Sequence, residues 1–188
     1  MARRLFWAVA VLALGLVTAV SAAPVPEEDR VDIDLRRTTL VVRDMEKSLA
    51  LYRDTLGLKV IYDNLITTPR DAGSVDAAER ALRLVFLRAN DDFVGVLGLL
   101  HYIKPEKTRA RDDDAFQPGT PVLLFNTRNL DEKFARVRAL EGVKVLSEPS
   151  LTSYPSYDGT STILVKVSVF YDPDGFVVEL NELQEDLK

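Results

Sequence analysis

The chain contains no cysteine, a single histidine and a single tryptophan. Without cysteine it can form no disulfide, carry no lipid on a cysteine anchor and use no thiol nucleophile. One histidine, His101, cannot form a zinc-type histidine cluster, and the sequence has neither a phosphate-binding glycine loop nor a serine nucleophile elbow. These absences exclude several common kinds of catalytic site.

Basic residues are also in the minority, with 24 Lys and Arg against 29 Asp and Glu and a formal net charge of −5. A surface of this balance is unsuited to binding nucleic acid. The 188 residues have ordinary apolar and charged fractions of 47% and 28%. Length and composition therefore predict a globular protein with one compact domain.

The apolar run at residues 5–17 is short for a membrane span, which needs about 20 residues. It follows Arg3 and Arg4 and precedes small residues, which is the order typical of a secretory signal. We expect a signal peptide that is cleaved after Ala22, followed by a flexible lead at residues 23–34. The mature protein would then lie in a bacterial periplasm or outside the cell, without a stable membrane anchor; a retained anchor is the alternative.

The rest of the chain nearly repeats itself, once from Asp44 and again from Asn129. An offset of 85 residues aligns two amphipathic helix patterns, each followed by a glycine. Further along, the offset falls to 83, so that residues 93–97 align with residues 176–180. Two copies of one supersecondary unit predict a pseudo-twofold architecture.

Periodicity and turn residues predict the order βαβββ in each copy. The predicted strands are residues 35–42, 58–62, 81–89 and 93–102 in the first copy and 122–127, 143–146, 161–172 and 176–182 in the second. Asp44 should cap the first helix, which Gly57 ends, and Asn129 with Glu132 should form a capping box for the helix at residues 130–140. Residues 65–80 are predicted to be a loop.

These elements predict an α+β fold in which two pseudo-symmetric βαβββ modules form a curved eight-stranded sheet around a cleft, with the helices on the outer side. The modules would span residues 35–102 and 121–183, within a single domain of residues 35–183. A linker at residues 103–120 would join them, and residues 184–188 would be a tail.

Strand alternation predicts which side chains line the cleft. The valine-rich set Ile163, Val165, Val167 and Val169 suits the helix side, which leaves Leu164, Lys166, Ser168 and Phe170 for the cleft. The same reasoning places Arg83, Val85 and Leu87 in the cleft from the first module. Arg37, Thr39 and Val41 would join them from the first strand, and Val177, Glu179 and Asn181 from the last.

Two segments resemble the vicinal oxygen chelate superfamily, which includes glyoxalase I, extradiol dioxygenases, fosfomycin-modifying enzymes and bleomycin resistance proteins. Residues 37–52, followed by Leu56-Gly57-Leu58, are similar to its opening module, and residues 172–180 are similar to its closing strand. The resemblance covers essentially the whole mature chain. It implies the paired-module fold, and it implies a possible homodimer because dimers are common in the superfamily.

Metal-dependent members hold a divalent ion with His or Glu at four positions. The resemblance puts these positions at Arg37, Val96, Val122 or its neighbour Pro121, and Glu179. Only Glu179 could be a ligand, because Arg37 is a permanent cation and an alkyl side chain has no lone pair to offer. We therefore expect no divalent metal and no other cofactor.

An ion pair between Arg37 and Glu179 could replace the metal across the cleft, either as a purely structural contact or as part of a ligand site. Arg83 and Lys166 would add positive charge and Ser168 a hydroxyl, although long basic side chains also reach from a sheet rim into water. The expected function is therefore binding of a small, anionic organic molecule.

The sequence leaves open whether the protein is an enzyme. The alternative to a binding protein is an isomerase or lyase similar to lactoylglutathione lyase, or related carbonyl chemistry, in which Glu179 is the base and Arg37 stabilises an enolate. Residues 152–157, rich in Tyr and Ser, could fold over the cleft as a lid or be an ordinary surface loop.

Overall fold

The computed structural model describes residues 25–108, 117–156, 159 and 161–184. The predicted signal peptide, most of the predicted tail and the acidic run Asp112–Asp114 of the predicted linker lie outside the described residues. The lead includes a single 3-10 turn, Glu27–Asp29. No helix among the described residues has both the length and the apolar character that a membrane crossing requires.

The chain folds as two consecutive βαβββ modules. The first consists of β1 (Arg37–Val42), α1 (Met45–Leu49), β2 (Lys59–Thr68), β3 (Arg80–Arg88) and β4 (Val96–Lys104), with α1 continued by a π-helical segment over Ala50–Thr55. The second consists of β5 (Val122–Asn126), α2 (Leu130–Arg138), β6 (Lys144–Pro155), β7 (Thr162–Tyr171) and β8 (Val177–Leu183). The predicted α+β fold of paired βαβββ modules is thereby confirmed.

The eight strands are divided between two four-stranded sheets. Their orders are β1-β4-β3-β2 and β5-β8-β7-β6, so each module builds its own sheet. The first and last strands of a module are parallel neighbours, whereas the other pairs are antiparallel. This pairing brings residues from the two ends of each module side by side.

The two helices begin differently. The Asp44 carboxylate accepts hydrogen bonds from the backbone N–H groups of Glu46 and Lys47, at 3.0 and 3.2 Å, as predicted for a cap. The predicted capping box at Asn129 is wrong, because its amide donates to the side chain of Glu132 at 3.1 Å instead of accepting from the helix backbone. Glu182 of β8 accepts from the first N–H of α2 at 3.4 Å.

The strands β2 and β6 are longer than predicted. Residues 65–68 continue β2, because they pair with β3 where a loop was expected. In β6, the register shifts twice, and the second shift, between Ser147 and Ser150, accommodates Pro149 while pairing with β7 continues to Pro155. Residues 152–155 of the predicted lid are therefore strand, and Tyr157 lies outside the described residues.

One hydrophobic core joins the two modules. It combines the helix-facing residues of both sheets with residues of both helices. Across the junction the rings of Tyr52 and Phe125 lie 6.2 Å apart, and within the second module those of Phe134 and Phe170 lie 6.5 Å apart. The Lys133 ammonium also donates to the Leu56 carbonyl at 3.1 Å. The modules therefore contact each other through their helix sides.

Two buried carboxylates in the turn between β7 and β8 also bind groups of the first module. The Tyr52 hydroxyl donates to Asp172 at 2.7 Å, and Arg43 donates to Asp174 at 2.9 Å through both its backbone N–H and its Nε. Burial, the largest influence on Asp172, raises its pKa to about 6. This turn is consequently a polar contact between the modules, set beside their apolar core.

Candidate functional site

Each sheet has one side turned away from the shared core. In β1, Leu40 and Val42 are core residues, so Arg37 and Thr39 lie on the opposite side by alternation, as predicted. We call this side of the first sheet the A face. In β8, Val178 and Leu180 are core residues, so Glu179 lies on the opposite side of the second sheet, again as predicted. We call that side the B face.

The predicted orientation of β3 is wrong. Val85 and Leu87 are fully buried in the core, and Arg83 shares their side of the strand. Arg83 binds Asp63 at 2.8 and 2.7 Å and Glu46 of α1 at 2.6 Å. Hydrogen bonding by Arg83 holds the pKa of Asp63 below its usual range. Arg83 is thus engaged beside the helix and does not reach the A face.

The predicted orientation of β7 is also wrong. Phe170 is fully buried against Phe134 of α2, which sets the helix side of the strand. On that side the Lys166 ammonium binds Asp131 of α2 at 2.5 Å, and the Ser168 hydroxyl is buried and donates to the Leu180 carbonyl at 3.1 Å. Neither side chain is on the B face.

Residues predicted for the helix side cover the B face instead. Ile163, Val165 and Val167 form a separate apolar cluster with Val169, outside the main core. Both sides of β7 are apolar, so alternation alone cannot distinguish them. The orientation is shown by Phe170, which belongs to the main core and packs against Phe134 of α2.

Arg37 is held on the A face by two contacts. Its Nε donates to the Thr39 hydroxyl at 3.1 Å, and its guanidinium carbon lies 4.0 Å from the centre of the Phe86 ring. The Phe86 ring is stacked in turn on Tyr62, with centres 4.7 Å apart. Arg37 makes no ion pair with any described residue, so its terminal nitrogens Nη1 and Nη2 can donate to a ligand.

The contact between Arg37 and Phe86 crosses a strand. Thr39 of β1 pairs with Gly98 of β4, which pairs with Phe86 of β3. A Cβ atom on Gly98 would lie 2.6 Å from the Thr39 hydroxyl oxygen and 3.2 Å from Cδ of Arg37. Arg37 therefore passes over β4 through a space that exists because residue 98 has no side chain.

The four strands place basic side chains, and no acidic ones, on the A face. Asp63 is the only acid in β1 to β4, all four of which are fully described, and it lies on the helix side, bound to Arg83. Arg88 follows Phe86 by two residues and so shares the A face with Arg37. Arg88 and Phe86 were not predicted for the site because the opposite side of β3 was assigned to the cleft, and no pattern in β4 indicated a role for Gly98.

Glu179 lies on the apolar B face. The Asn181 amide donates to one of its carboxylate oxygens at 2.7 Å. The neighbours of Glu179 in the sheet are Val169 of β7 and Leu124 of β5. Asn181 is also buried, and its Oδ1 has no hydrogen-bond partner in the described part of the chain. Asn181 was predicted to face the cleft, but its hydrogen bond to Glu179 was not predicted.

The predicted ion pair between Arg37 and Glu179 is not formed within the chain. Both residues are described, and neither takes part in a salt bridge with the other. The reason is the shared core, since the modules meet through their helix sides and leave the A and B faces turned away from it.

The residues at the four metal positions implied by the resemblance do not fit a metal site of that type. Arg37 pairs with Val96 on the A face. Glu179 pairs with Leu124, so Val122 lies two residues along β5 from the residue that is beside Glu179. One carboxylate, one guanidinium and alkyl side chains do not supply a ligand set. Among the described residues there is no group of three His, Cys, Asp or Glu side chains suited to a metal ion.

Comparison with known proteins gives a family and two informative structures. The family model "Glyoxalase/Bleomycin resistance protein/Dioxygenase superfamily" matches residues 34–180. A glyoxalase family protein from Bacillus cereus has a TM-score of 0.62 at 12% identity, over 86% of this chain and 100% of that one. The trypanothione-dependent glyoxalase I of Leishmania major has a TM-score of 0.51 at 20% identity, over 80% and 86% of the two chains.

At these identities the two structures support the fold alone. A search of curated protein sequences finds no significant match.

Proposed function

Since the chain belongs to the glyoxalase/bleomycin resistance protein/dioxygenase superfamily, we propose that it binds a small organic acid on the A face without a metal ion. Arg37 is the binding group, and its two terminal nitrogens receive the ligand carboxylate. The single observation that carries this proposal is the guanidinium of Arg37, which rests on the Phe86 ring, has a bound Nε and has no acidic partner among the described residues.

The surroundings of Arg37 favour an anion with an apolar body. Arg88 adds a second cation to the A face, whose four strands place no acid there. The row of the A face next to Phe86 contains Leu84, Leu100 and Val41, of which Val41 is exposed. A charge-assisted pair of hydrogen bonds would fix the carboxylate, and the aliphatic side chains would cover the remainder of the ligand.

We propose that a second copy of the chain closes the cleft. The A face presents the guanidinium of Arg37, which has no ion-pair partner among the described residues. The B face presents the Glu179 carboxylate beside the apolar cluster of β7. In a twofold dimer the A face of each copy would meet the B face of the other, so the same contact would form twice. Arg37 of one copy and Glu179 of the other would then line one cleft, which a single chain leaves incomplete.

The proposed location is the bacterial periplasm or the exterior. This proposal depends on the order of charge, apolar run and small residues in the predicted signal peptide. Mass determination of the N-terminus of the secreted protein would test it, with cleavage after Ala22 as the expected result. Recovery of uncleaved chain from the cytoplasm would contradict it.

Ligand binding is tested with benzoate and its neutral analogue benzamide, by calorimetric titration of the mature protein. We expect benzoate to bind and benzamide not to bind, since only the former is an anion. Arg37→Ala should weaken benzoate binding by about 10- to 100-fold, because a hydrogen bond to a charged group contributes about 1.5–3 kcal/mol.

Arg36→Ala is the matched control. Arg36 is the adjacent arginine and also lies over a phenyl ring, at 4.5 Å from the centre of Phe93. Arg36→Ala changes the net charge by the same amount as Arg37→Ala and should leave the benzoate affinity unchanged. Equal affinity for benzamide, or an equal effect of the two substitutions, would refute the proposed role of Arg37.

The second-copy proposal is tested by sedimentation of charge-reversed variants. Arg37→Glu and Glu179→Arg should each weaken the dimer by placing like charges on facing surfaces, and the double variant should restore it because opposite charges would again face each other across the cleft. A monomeric wild-type protein, or a double variant weaker than both single ones, would overturn this part. Turnover of methylglyoxal hemithioacetal that Glu179→Gln abolishes would instead identify a lyase.

A further inference from the structure

The guanidinium of Arg37 contacts two other residues of the A face, Thr39 and Phe86. Arginine has many rotamers, and an exposed arginine ordinarily loses substantial side-chain entropy when it binds an anion. Here the side chain crosses β4 and stacks on Phe86, 4.0 Å from the ring centre. Part of that ordering has therefore taken place before a ligand arrives.

Building on the proposed function, we propose that Gly98 and Phe86 are positioning residues that fix Arg37 for end-on binding of a carboxylate. Gly98 leaves the space through which Arg37 passes, and Phe86 supplies the ring face on which the guanidinium rests. Because Nε is bound to Thr39, the side-on edge of the guanidinium is occupied. The ligand carboxylate must then bind across Nη1 and Nη2.

The requirement for glycine at position 98 is steric. Gly98 does not adopt a left-handed backbone conformation, in contrast to glycines such as Gly95 and Gly142, so alanine is compatible with its backbone. A Cβ atom there would contact the Thr39 hydroxyl oxygen at 2.6 Å, which requires Thr39 to move. The same atom would lie 3.2 Å from Cδ of Arg37, so the side chain that binds Thr39 would be displaced with it.

The role of Phe86 is electronic as well as steric. A guanidinium within about 6 Å of an aromatic centre is attracted to the ring face, and Tyr62 holds the ring in place by stacking at 4.7 Å. Leucine at position 86 would fill a similar volume without a ring face. Tyrosine would retain the ring face and should retain the orientation of Arg37.

The first test is benzoate affinity, measured by calorimetry on full-length mature protein. Phe86→Leu should weaken binding about three- to tenfold, as expected when an ordered side chain becomes free to rotate, and Gly98→Ala should do so by a similar factor. Phe86→Tyr should have the wild-type affinity. Phe93→Leu, which removes the ring beneath Arg36, is the control and should have no effect.

The second test needs no ligand. The ¹⁵N NMR signal of the Arg37 Nε–H group should show a rigid side chain in the wild type and in Phe86→Tyr, and a mobile one in Phe86→Leu and Gly98→Ala. A rigid Arg37 in both Phe86→Leu and Gly98→Ala would overturn the inference. If one of the two variants folds poorly, a rigid Arg37 in the other would have the same meaning. Benzoate binding that depends on Arg37 but not on residues 86 and 98 would refute the positioning role alone, whereas binding independent of Arg37 would refute the proposed function.

Discussion

Replacing Asp172 by asparagine should make the protein more stable at neutral pH. The Asp172 carboxyl is 1% exposed, and burial raises its pKa to about 6, from an ordinary value of 3.8. Between these two pH values the folded chain holds a proton that the unfolded chain has released. The free energy of unfolding therefore decreases as pH rises through this window and levels off above pH 6.

The size of this effect follows from the difference between the two pKa values. About two pKa units correspond to about 3 kcal/mol of stability lost between pH 4 and pH 7. Asparagine has the shape of the protonated acid. Its carbonyl can accept from the N–H groups of Asp174 and Phe176, as Oδ1 of Asp172 does, and its amide can donate to the Tyr52 hydroxyl.

The measurement is urea unfolding at a series of pH values from 4 to 8. Far-UV circular dichroism is the suitable signal, because the only tryptophan, Trp7, lies in the predicted signal peptide. Asp172→Asn should match the wild type near pH 4 and exceed it by up to about 3 kcal/mol at pH 8. Other titrating groups cancel in the difference between the two curves.

A matched variant is available in the same turn. Asp174 is 5% exposed and binds Arg43, so Asp174→Asn removes half of an ion pair and should lower stability at pH 8. If Asp172→Asn behaved like Asp174→Asn, or kept the wild-type dependence on pH, the reasoning about the buried acid would be wrong.

Two further substitutions test the helices and the core. Asp44→Ala should cost about 1 kcal/mol by removing the cap of α1, with Asp44→Asn as the conservative control, measured by thermal unfolding. Phe134→Ala should cost about 3–5 kcal/mol, because Phe134 is 2% exposed in the core shared by the modules. Phe134→Leu should cost clearly less in the same assay, and equal losses would argue against a cavity as the cause.

The sequence was sufficient to predict the architecture. Its internal repeat, the cap at Asp44 and the order of elements predicted two βαβββ modules, and these are present. Such features are local, so they can be recognised without knowing the neighbours of each element. The lengths of β2 and β6 could not be predicted, because pairing with a long neighbouring strand extends each through polar and proline-containing residues.

The candidate site was predicted only in part. On β8, Glu179 and Asn181 alternate with apolar residues, and on β1, Arg37 and Thr39 share one side while Leu40 and Val42 share the other, so Arg37 and Glu179 were placed on the correct sides. On β3 and β7, both sides carry large apolar residues, so the sequence could not show that Arg83 and Lys166 bind acids near the helices. The sequence also could not show how the two modules pack, because the packing depends on which sides of the two folded modules contact each other.

The continuity of the core across the two modules has a consequence for how the chain could be divided. A half that contained residues 35–102 alone would expose Leu49 and Tyr52 to water, and the other half would expose Phe125. Neither half would be a self-sufficient folding unit, although each contains a complete structural repeat. The two halves of the sequence are therefore similar in structure but would not fold independently. A substitution that destabilises one module should also destabilise the other.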